Sequence, residues 1–225
     1  KMLFIALIVS AIGIGNAAYE SGNLTGAAIG LDAFWDIGTG TWALILGALA
    51  IALLWTGSYS WIESVLVYLV FIMAGVFFVT LVVAEPDILS MFSQLLQPRL
   101  SADSITTILA LIGTTIVPYN LFLHASLVAK SSNNADNTNS DKSDAIKACR
   151  KQSATAISMG GLITLVVMAT AMMAFFNQAA TMDAGNMGEQ LKPVLGDKAH
   201  WFFALGLFAA GLTSAITAPL AAAYA

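Results

Sequence analysis

Six apolar stretches leave this chain a single environment. They cover roughly residues 2–31, 41–56, 62–84, 104–130, 153–176 and 200–224. A bilayer core accepts about 20 apolar residues per helix, so each stretch spans or nearly spans it. The second is short and ends in the polar turn Thr56-Gly-Ser-Tyr-Ser60. Only 10% of the 225 residues are charged, where soluble domains carry about 25%. In lipid each backbone polar group needs a partner within the protein, and runs of this length meet that need as helices. The expected class is therefore an all-α polytopic membrane protein, one domain over residues 1–225, with the lipid bilayer as its first partner. No basic stripe exists, so nucleic acid is not an expected partner. The chain opens at Lys1 and stops at Ala225 inside an apolar run. It is expected to be a piece of a longer polytopic protein, with no removable signal peptide. The lone cysteine, Cys149, rules out an internal disulfide.

Lysine and arginine bias sets an expected orientation. With alternating spans, one side collects Lys1, Lys130, Lys142, Lys147, Arg150 and Lys151. The other holds Arg99, Lys192 and Lys198 beside several carboxylates. Loop 131–152 is thus expected to be cytoplasmic, in a bacterial inner membrane. Its opening, Ser131 to Asp141, is polar and reads as a flexible linker. In loop 85–103, Ile88, Leu89, Met91, Phe92, Leu95 and Leu96 fall on one helical face, the pattern of an interfacial helix.

The fourth stretch is interrupted by Gly113-Thr-Thr-Ile-Val-Pro118-Tyr-Asn-Leu-Phe-Leu-His124. Proline has no N–H, so the carbonyl of Thr114, four residues earlier, loses its helical partner. An unpaired carbonyl costs several kcal/mol in hydrocarbon, so it survives only inside protein or facing a watery cavity. Transporters hold ions at such mid-membrane breaks. The dipole of the preceding half-helix favours a cation at its C-terminal end, which fits a metal site at 114–117, flanked by Gly113 and Pro118.

Other polar residues in the spans are few. Glu20 is the one acidic residue within the span cores, and a buried ionisable group there costs at least about 2.5 kcal/mol. It either relays a proton or holds a water on the ion path, or it is a hydrogen-bonded packing residue; the residues alone leave both open. Asn23 shares its face. His124, whose imidazole changes charge near neutral pH, lies one turn from Asn120, and the pair line an inner vestibule or bond helix to helix. Thr213, Ser214 and Thr217 are candidate outer donors to the site, although such hydroxyls more often bond back to the preceding turn. Pro219 is expected to kink the last span. Gly22, Gly26 and Gly30 are spaced for close helix packing. Met159, Met168, Met172 and Met173 read as packing or lipid-facing residues.

With the spans placed, three blocks resemble the Nramp family of proton-coupled divalent-metal transporters and its divergent relatives. The broken helix from Gly113 to Val128 resembles the family's sixth-helix pattern G-A-x-x-M-P-H-N-L-Y-L-H-S-A-L-V. Ala209-Ala-Gly-Leu-Thr-Ser-Ala-Ile-Thr217 is similar to the eighth-helix A-A-G-Q-S-S-T-I-T. Asn16 to Gly30 resembles the third helix. The resemblance implies a partial LeuT-type inverted-repeat transporter bundle holding helices three to eight, and secondary active transport of a divalent cation (Mg, Mn or Fe class) by alternating access. It implies no cofactor, only a transported metal and protons as partners.

The resemblance places a metal-facing main-chain carbonyl on Thr114, and Val117 where the family has Met. It puts Glu20 and Asn23 at acidic proton-pathway positions, and Tyr119 where a proton-route His is usual. Leu212 stands in place of the family's Gln. Without the thioether, an oxygen-lined site has less basis for refusing hard Mg²⁺, so a hard-cation or broad divalent preference is expected. The helix carrying the family's D-P-G-N motif is absent. The competing reading is a LeuT-type carrier of an amino acid or other organic solute; a third is a sensor or scaffold that lost transport. No nucleophile–base pair or phosphate loop points to an enzyme.

Overall fold

A computed structural model of the chain describes residues 2–56, 60–83, 85, 89, 93, 96, 104–115, 117, 139–175, 183 and 185–223. Six helices carry the architecture: α1 Met2–Asp32, α2 Thr39–Thr56, α3 Ser60–Val83, α4 Ser104–Thr115, α5 Asn139–Phe175 and α6 Ala199–Ala223. Among the described residues there is no strand. Short helical turns over 187–198 lead into α6. Among the described residues, five segments are long and apolar enough to cross a membrane, whereas the apolar part of α4, Ile105–Thr114, is shorter. Large side chains face outward without polar cover, Leu44 79% and Ile157 74% exposed. In water such surfaces would drive association; in lipid they are solvated. The chain is an integral membrane protein.

The described helices 2–32, 39–56, 60–83 and 199–223 end within two residues of the expected spans. The expected span 104–130 is described only at 104–115 and 117, and one expectation needs correction. Residues 139–152, assigned to a cytoplasmic loop, belong to α5, a helix of 37 residues. The segment Ala145-Ile-Lys-Ala-Cys-Arg-Lys-Gln152 is rich in strong helix formers, and an apolar helix already nucleated downstream needs only propagation to extend through them. α6 runs through Pro219 to Ala223. Of the interfacial-helix positions at 85–103, only 85, 89, 93 and 96 are described, and residues 131–138 lie outside the described set.

The turn from α1 to α2 is built by Asp32, which accepts from the Gly38 N–H at 2.8 Å and the Thr39 hydroxyl at 3.4 Å. Gly38 has φ +91°, a conformation that L side chains rarely adopt. Trp42 donates its indole N–H to the Trp35 carbonyl at 2.9 Å, and Phe34 stacks on Trp201 with centroids 5.1 Å apart. An aromatic cluster at the helix ends is the pattern of a membrane–water interface.

α6 is the central element. It runs antiparallel to α1, since Gly30 meets Ala204 and Phe208 while Asn23 and Ala27 meet Gly211. A core of Ala27, Ala28, Leu46, Ala50, Leu66, Ala209, Leu212 and Ile216 joins α1, α2, α3 and α6. A second core, around Phe77, Val166, Leu191 and Ala199, joins α3, α5 and the turns before α6. Small residues let the α1 and α6 backbones touch, which replaces the hydrophobic drive that lipid does not supply. Of the three spaced glycines, Gly30 makes that approach, Gly26 has an ordinary neighbour and Gly22 has none within 4 Å. A Cβ on Gly30 would lie 2.5 Å from the Ala204 carbonyl oxygen. Gly30→Ala is therefore expected to destabilise the folded protein by about 1–3 kcal/mol. Gly22→Ala is expected to be neutral or stabilising by up to about 1 kcal/mol. Thermal unfolding in detergent distinguishes the two.

Candidate metal-binding break

α4 ends at Thr115, and Val117 lies outside any helix. An α-helix leaves its last four carbonyls without intrahelical donors; here those belong to Ile112, Gly113, Thr114 and Thr115. The Gly113 carbonyl accepts the hydroxyl of Tyr19 on α1 at 2.7 Å. Pro118 in the sequence has no N–H to offer the Thr114 carbonyl. The Thr114 hydroxyl donates to the Leu111 carbonyl at 2.9 Å, which turns its side chain back along its own helix.

Val117 is 8% exposed and packs with Ala218 of α6 and Tyr19. The position that the resemblance gives to a metal-facing side chain is here an apolar contact between α1, α6 and the break. Pro118, Tyr119, Asn120 and His124 lie outside the described residues.

On α1, Glu20 is half-buried and accepts from the Asn23 amide at a long 3.5 Å. Tyr19 and Glu20 each lie three or four residues from Asn16 and from Asn23, so the four form one broad polar face. The Asn16 side-chain oxygen is buried and has no hydrogen-bond partner among the described residues. Sequence reasoning gave Tyr19 and Asn16 no part. The available signal was a phenol and an amide deep in an apolar span, each of which needs a partner there.

The hydroxyls of α6 are engaged within their own helix. Thr213 donates to the Ala209 carbonyl at 2.7 Å and Thr217 to the Thr213 carbonyl at 2.6 Å. Thr213 and Ser214 also line a cleft of about 220 Å³ with Val67, Val70, Phe71 and Ile163. Ala218, not these hydroxyls, meets Val117. Of the four methionines of α5, three are exposed and Met173 is half-buried.

A family model described as natural resistance-associated macrophage protein-like matches residues 1–225. The chain belongs to the Nramp family. Its helices are part of that family's LeuT-type membrane bundle, and membership does not favour the organic-solute carrier. Among similar relatives is the divalent metal cation transporter MntH of Yersinia enterocolitica serotype O:8, 30% identical over 165 residues, 71% of this chain and 38% of the relative. The MntH of Bradyrhizobium diazoefficiens is 29% identical over 213 residues, 91% of this chain and 47% of the relative. That of Agrobacterium fabrum is 28% identical over the same length, covering 91% and 46%. The chain spans less than half the length of these curated relatives.

Because the donors in Thr213 and Thr217 serve carbonyls that helical N–H groups already serve, their loss orphans no buried group. Thr213→Val and Thr217→Val are each expected to change folding stability by no more than about 0.5 kcal/mol. Thermal unfolding of the purified protein checks this.

Proposed function

We propose that the full-length protein carries a divalent metal cation across a membrane by alternating access and binds it at the break after α4. The observation that carries this reading is the end of α4 at Thr115, inside an apolar run and just ahead of Pro118. The Thr114 carbonyl supplies an oxygen ligand where the half-helix dipole favours positive charge. The relatives' shared name, divalent metal cation transporter, supports the cargo class. The positive-charge bias supports a cytoplasmic side holding residues 131–138 and the polar start of α5, in a bacterial inner membrane.

At position 117 a valine offers no soft ligand, so the selectivity is broad or favours hard cations. Uptake into liposomes by the full-length protein is expected for Mg²⁺ as well as Mn²⁺; Mn²⁺ uptake with strong exclusion of Mg²⁺ would refute this preference, and uptake of neither would refute the transport reading. Val117→Met is expected to improve the half-saturating concentration of Mn²⁺ relative to Mg²⁺ by roughly three- to tenfold, the effect of about 1 kcal/mol.

Glu20, half-buried beside Asn23 on the helix whose Tyr19 meets the break, serves as the proton or water relay of this path, with Asn120, Tyr119 and His124 continuing it. With Glu20→Gln, cation uptake at equal pH on both sides is expected to persist while its acceleration by an inward pH gradient disappears. A variant that keeps full pH-driven uptake removes the relay role.

A further inference from the structure

We infer that Tyr19 is a positioning residue for cation binding: its hydroxyl holds the Gly113 carbonyl and so fixes the direction in which the neighbouring Thr114 oxygen faces. The inference rests on the break being the cation site. The bond has the usual length of a well-formed O–H···O pair, 2.7 Å, and joins residues 94 apart in sequence. The phenol thus supplies a donor to a carbonyl in the last turn of α4, where intrahelical donors run out.

The same residue secures both sides of the break. Its hydroxyl grips the last turn of α4, and its ring packs with Val117 and Ala218 just beyond. The rest of α4 is loosely held within the described residues, with Ile105 52%, Leu109 63% and Ile112 51% exposed. Rotation of the helix end about its own axis is thus checked at Gly113. On a backbone cylinder of about 2.3 Å radius, a turn of about 25° moves an atom sideways by about 1 Å. Metal–oxygen distances tolerate about 0.2 Å, so a slip of that size takes the Thr114 oxygen out of reach. The bond also keeps the Gly113 oxygen occupied, which leaves Thr114 to face the ion.

Tyr19→Phe removes the donor and keeps the ring. In the full-length protein reconstituted in liposomes, it is expected to raise the half-saturating concentrations of Mn²⁺ and Mg²⁺ about three- to tenfold, the scale of one hydrogen bond. Maximal uptake rate, elution profile and melting temperature are expected to stay near those of the unaltered protein. An unchanged half-saturating concentration overturns the inference. So does a variant that loses stability or yield alone, since that assigns the phenol to folding. If the unaltered protein takes up neither cation, the transport reading fails instead. Equilibrium Mn²⁺ binding to the purified full-length protein then decides on Tyr19, with weaker binding by Tyr19→Phe supporting its role and equal or no binding overturning it.

Discussion

A backbone carbonyl within a bilayer must find a donor or a cation, and the arrangement around the end of α4 follows from that demand. Where the helix stops, its last oxygens lose the N–H groups that would have served them. Tyr19 on α1 satisfies one of these oxygens from a neighbouring helix. Pro118 has no N–H to offer the next, which is why the proposed cation site is put there. The break is costly only if it faces acyl chains. Val117, Ala218 and Tyr19 close one side of it, while Thr114 is exposed within the described residues.

That enclosure needs α1 and α6 to lie close together. Gly30 and Gly211 permit this at two levels, one against the Ala204 carbonyl and one against the Asn23 carbonyl. Between lipid-solvated helices, dispersion at short range does the work that water-driven burial does in soluble proteins. The polar face of α1 is carried by the same contact, since Asn23 belongs both to the seam with Gly211 and to the pair with Glu20. Packing and candidate chemistry are therefore set by adjacent residues of one helix.

Much of this was legible in the residues. Apolar length alone located the spans, because the bilayer enforces helix and sets its reach. The interruption at Pro118 marked where α4 would stop, since a missing N–H is a property of the residue itself. Less was legible where the environment is water. The polar start of α5 has no lipid constraint, and its helix rests on modest propensities that a polar composition hides. Spacing marked Gly22, Gly26 and Gly30 as equivalent, but which of them a partner covers depends on where the other helix crosses. Tyr19 was overlooked because attention fell on charge, whereas the need of an uncharged phenol for a partner in lipid is as informative.

The touching backbones of α1 and α6 have a mechanical consequence. Where Gly30 and Gly211 meet the opposite backbone no rotamer change can part the two helices, so at those levels they behave as a single strut. In the alternating access proposed above, a swing of α4 against that strut breaks or carries with it the Tyr19–Gly113 bond, the phenol being the latch between them.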